Sequence, residues 1–115
     1  MSTRAELEAA LAKAEADWRR ANERLDRKQT ERTEANDAWV RANADRRIAG
    51  GDRRSAGGDR RKMDSDRRRA EVVRDEANAA WDQALAARRE ARAAWDRARA
   101  ALDELERANR VNRKA

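Results

Sequence analysis

Cut into sevens from Leu7, the chain keeps one phase of apolar and polar places nearly to its end: LEAALAK, AEADWRR, ANERLDR, KQTERTE, ANDAWVR and so on through ARAAWDR, ARAALDE and LERANRV. The first place of each block, here called d, is alanine throughout except at Leu7, Lys28, Met63 and Leu105. The fifth place, a, holds Leu11, Trp18, Leu25, Arg32, Trp39, Trp81, Trp95 and Leu102, with arginine in most other blocks, so all four tryptophans fall on one place of the repeat. A 3.5-residue spacing puts a and d on one stripe of a helix and favours left-handed supercoiling. A charged, disordered chain has no reason to keep that phase.

Small d residues let two helix backbones come close, and a bulky a residue then needs a small neighbour across the seam. Antiparallel pairing, in which a faces d, supplies it. The expected fold class is therefore all-α: an antiparallel helical hairpin of alanine-rich heptads, a coiled coil, self-associating into a four-helix bundle or larger assembly. All four glycines, Gly50, Gly51, Gly57 and Gly58, lie within nine residues near mid-chain, where each costs ~1 kcal/mol relative to alanine inside a helix. A turn is expected at about 50–58, with helix 1 over about 3–49 and helix 2 over about 59–112, in a single domain spanning 1–115. Thr3 and Glu6 form a capping-box pattern at the start of helix 1, Gly50 is placed to end it, and Asp59 is a candidate N-cap for helix 2. Since the heptad phase runs through the glycines, one continuous long helix is the alternative; the near copies AGGDRRS and AGGDRRK let tandem duplication explain the phase without it.

Folding about Arg54 and Ser55 sets residues whose numbers sum to 109 opposite one another. Trp18 then faces Ala91, Trp39 faces Ala70, Lys28 faces Trp81 and Ala14 faces Trp95, while Glu8 lies near Arg99 and Glu15 near Arg92. The expected helix–helix seam comprises Leu11, Trp18, Leu25, Trp39 and Trp81 with Ala84, Ala91, Trp95, Ala98 and Leu102. Arginines on the seam, such as Arg32 and Arg74, are expected to pack their stems and turn their heads outward to water. Blocks 77–104 carry alanine at d and two further places, more small apolar surface than one partner helix covers, which is the argument for self-association.

Composition narrows the function classes. The 115 residues include 28 alanines but only thirteen Leu, Ile, Val and Met together, and proline is absent, a balance that suits long helices and leaves little for a globular core. There is no Cys, and no uncharged run exceeds five residues, so disulfides, thiolate metal sites and membrane spans are excluded. With no His, Cys or Tyr and only three Ser and three Thr, the inventory for catalysis is nearly empty. No enzyme activity, cofactor or small-molecule substrate is expected, and the expected location is cytoplasmic or within a virion or other large particle.

Charge is uneven. The net charge is +6, of which residues 45–74 carry +5. Arg46, Arg47, Arg53, Arg54 and Arg60 with Arg61, Lys62, Arg67, Arg68 and Arg69 would form a guanidinium-rich knob at the hairpin tip, suited to phosphates or carboxylates. No aromatic residue lies between Val40 and Ala80, so base stacking is not offered. The expectation is a non-enzymatic structural or adaptor protein that self-associates and docks an acidic protein surface with this tip. Its composition, though no defined motif, looks similar in texture to the alanine-rich coiled coils of phage particles and of plasmid-maintenance proteins. Nonspecific nucleic-acid binding through the same arginines is the alternative.

Overall fold

The computed structural model describes the backbone of residues 2–50 and 57–114, and side chains over 2–44 and 60–113. It is all-helical: α1 runs Arg4–Gly50 and α2 runs Gly57–Lys114, and the two form a helical hairpin. The unbroken helix is not adopted. The expected turn falls mainly on residues 51–56, outside the described ones, as do the side chains of Arg46, Arg47, Arg53 and Arg54.

Local chemistry accounts for where α1 begins. Thr3 stands just outside α1, its Oγ1 accepting from the Glu6 amide at 3.2 Å, so one of the otherwise unpaired donors of the first turn is satisfied, while its carbonyl accepts the first intrahelical bond from the Leu7 amide at 3.0 Å. Within α1, Thr30 and Thr33 donate their hydroxyls to the carbonyls of Asp26 and Gln29, one turn back, the usual way a threonine is accommodated mid-helix. Gly50 is the last residue of α1, yet no described glycine has positive φ. Asp59 lies inside α2, which starts at Gly57, and is not its N-cap. Glycines so near a helix end do not themselves mark the boundary when the backbone keeps helical φ.

The chain divides into two compact units. Unit 1 comprises 1–25 and 84–115, and unit 2 comprises 26–83. In unit 1, Arg4 reaches across to Glu106 at 3.6 Å while also bonding Glu8 on its own helix at 3.0 Å. Further along, Trp18 meets Trp95, so the α1 and α2 segments run in opposite senses. Ala14, Leu25 and Ala84 are buried here, Ala84 completely. In unit 2 the same antiparallel sense is carried by Arg32 with Asn78 and by Trp39 with Arg74, around the buried Ala35. Among the described residues these four are the whole buried core.

Candidate functional site

Every residue expected on the seam is shielded: Leu25 and Ala84 are buried, and Leu11, Trp18, Trp39, Trp81, Ala91, Trp95, Ala98 and Leu102 are half-buried. No indole faces open water. The contacts of the indoles, however, differ from the facing pairs read off the sequence.

In unit 1, Trp18 and Trp95 stack on each other, with ring centroids 6.2 Å apart and planes 18° from parallel. Ala91 had been expected opposite Trp18. Trp95 lies four residues beyond Ala91 on α2, which is about 6 Å of axial rise, and an indole laid along a seam of alanines spans that distance. The Arg92 guanidinium carbon lies 4.5 Å from the Trp95 centroid and 5.5 Å from that of Trp18, and Arg99 lies 5.4 Å from Trp95. The expected flank pairs are replaced accordingly: Glu15 takes Arg19 at 2.8 Å, Arg92 takes Asp96 at 3.4 Å, and Glu8 takes Arg4.

Unit 2 repeats the theme with one arginine per indole. Arg32 lies 4.4 Å from the Trp81 centroid and donates Nε to Asn78 Oδ1 at 2.9 Å, and Arg74 lies 4.1 Å from Trp39. Lys28, expected opposite Trp81, pairs with Glu31 at 3.1 Å instead. The heads of Arg32 and Arg74 thus lie over aromatic faces, and Arg74 also reaches the exposed Asp75 carboxylate at 3.4 Å. Cation–π attraction adds ~0.5–2 kcal/mol per pair depending on desolvation, and the planar guanidinium stacks where an ammonium would not.

An open groove of about 520 Å³ also lies in unit 2. Its floor is apolar, made by Ala35 and Ala38 of α1 and by Val73, Ala77 and Ala80 of α2. Three carboxylates, Glu31, Glu34 and Glu76, complete the lining, and all three are exposed. Surplus alanine on α2 is visible in the sequence, whereas this groove is not, because it needs residues of both helices brought side by side.

Of the basic residues expected at the tip, Arg60, Arg61, Lys62, Arg68 and Arg69 are exposed on the first turns of α2 and make no ion pair among the described residues. Arg67 is half-buried, with its Nε shielded from solvent and without a hydrogen-bond partner. No group of three or more carboxylates among the described residues is arranged to hold a metal ion, and no described helix is long and apolar enough to cross a membrane. Comparison with protein-family models, with curated proteins and with solved structures finds no match. The surfaces themselves therefore carry the functional argument.

Proposed function

We propose that this chain is a non-enzymatic structural or adaptor protein, a heptad-based coiled coil that self-associates through its alanine faces and docks an acidic partner surface with the arginine-rich segment. The observation that carries the reading is the thinness of the core: four buried residues among those described, three of them alanine. Shielding recurs every seven residues, at Ala14, Ala21, Lys28, Ala35 and Ala42 on α1 and at Ala70, Ala77, Ala84, Ala91 and Ala98 on α2, the period of a supercoiled seam. Beside that seam α2 still exposes Val72, Val73, Ala79, Ala86, Ala93 and Ala100 to solvent. An isolated hairpin that buries so little offsets chain entropy poorly, and covering those residues with further helices is the economical remedy. A component of a phage or other large particle fits such a part.

Light scattering on the full chain tests this. A mass of at least twice 13.2 kDa at micromolar concentration is expected, and a well-folded monomer over the whole range would refute it.

The exposed cations at Arg60, Arg61, Lys62, Arg68 and Arg69 favour a second reading, sequence-independent binding of nucleic acid through phosphates. It predicts duplex affinity falling steeply with salt and lost when these residues become glutamine. No binding to duplex DNA at low salt removes it.

A further inference from the structure

The groove of unit 2 combines two properties that restrict what can lie in it. Its floor of Ala35, Ala38, Ala77, Ala80 and Val73 is made of small side chains, so an incoming helix can seat closely only if its own contacting face is small. Glu31, Glu34 and Glu76 hold three negative charges in the lining, so that face must also carry cations. Glu31 has Lys28 at 3.1 Å, whereas Glu34 and Glu76 make no ion pair among the described residues. From Glu31 to Ala38 the α1 side of the groove covers two helical turns, about 10 Å of rise.

The chain carries such a face on α2. Ala86, Arg89, Ala93, Arg97 and Ala100 follow one another at spacings of three and four, which places them on one ridge of the helix, and all five are exposed. Its alanines repeat every seven residues, the same two turns that the groove offers. Arg89 and Arg97 make no ion pair among the described residues. Four exposed carboxylates border the ridge, Glu90 and Asp96 along its flanks and Asp82 and Glu104 one turn beyond its ends, and Asp96 is already taken by Arg92 at 3.4 Å.

We propose that the groove receives this ridge from a second copy of the chain, alanines against the apolar floor and Arg89 and Arg97 against the three glutamates. The inference rests on the self-association proposed above and names the surfaces that perform it. Groove and ridge are different patches, so the contact joins unlike surfaces of the two copies.

Sedimentation velocity on the full chain, with circular dichroism as the check on helix content, tests the pairing by charge exchange. One variant carries Glu31→Arg, Glu34→Arg and Glu76→Arg; another carries Arg89→Glu and Arg97→Glu; a third carries all five changes. Each of the first two is expected to keep its helix content and to associate at least tenfold more weakly than the wild type, and the third to recover most of that loss. A milder set, Glu31→Gln, Glu34→Gln and Glu76→Gln, is expected to weaken association to an intermediate degree and serves if a charge reversal disturbs folding. If the wild type associates while the charge variants associate equally well, or the five-fold variant recovers nothing, this pairing is wrong although self-association stands. A wild type that is monomeric throughout removes both.

Discussion

An indole at an alanine-lined seam has space to lie along the helix, and what it touches is then set by reach as much as by the residue directly opposite. That is why Trp18 finds Trp95, and why Arg32 and Arg74 cover Trp81 and Trp39. Heptad places alone could tell that these side chains leave the solvent face; they could not tell ring direction, because χ angles are decided by neighbours in three dimensions. The seam arginines are legible as a conflict between place and polarity, and at Arg32 and Arg74 the structure resolves it by giving each a π face. A double-mutant cycle on Arg32 and Trp81 measures the contact. Arg32→Met keeps much of the stem and removes the cation, and its coupling to Trp81→Ala is expected at ~0.5–2 kcal/mol. Zero coupling in denaturant melts would mean that the guanidinium contributes only its hydrocarbon stem.

At the scale of the helices, periodicity and the absence of proline made both elements legible, and the Thr3 signal located the start of α1 because capping is a matter of residues adjacent in sequence. The start of α2 was not legible: Asp59 has the right side chain for a cap, but Gly57 and Gly58 already take helical φ and move the boundary past it. Thr3→Ala is expected to destabilise by about 1 kcal/mol, read as a lower melting temperature and faster amide exchange at Glu6 and Leu7. An unchanged exchange rate at Glu6 would show that the bond to Thr3 Oγ1 does not persist. Gly58→Ala works in the opposite direction. With a helical backbone at this position alanine needs no strained φ and restricts the unfolded chain, so a gain of about 0.4–1 kcal/mol is expected; a loss in thermal melts would show that this site does not accept alanine.

For the molecule as a whole, the decisive balance is between a long helical backbone and very little buried surface. Ion pairs do not close the gap, since those at Arg4, Arg19, Arg20 and Arg92 sit on exposed side chains, where such pairs contribute ~0–1 kcal/mol each. The groove and the α2 ridge lay hidden in the sequence for a related reason: surplus alanine announces that more burial is wanted, but not which faces two copies would bring together. If association supplies the missing burial, stability must depend on protein concentration, because mass action adds about 1.4 kcal/mol per tenfold change. For a dimer-sized unfolding unit that corresponds to roughly 3–5 °C in melting temperature per decade of concentration. Circular dichroism melts from one to one hundred micromolar measure it directly, and the slope in the charge-reversed groove variant should fall toward zero as its monomer melts alone at a lower temperature. Melting curves that superimpose across the whole range would mean that the hairpin is held by its own seam of alanines, indoles and guanidinium groups, with no second copy required.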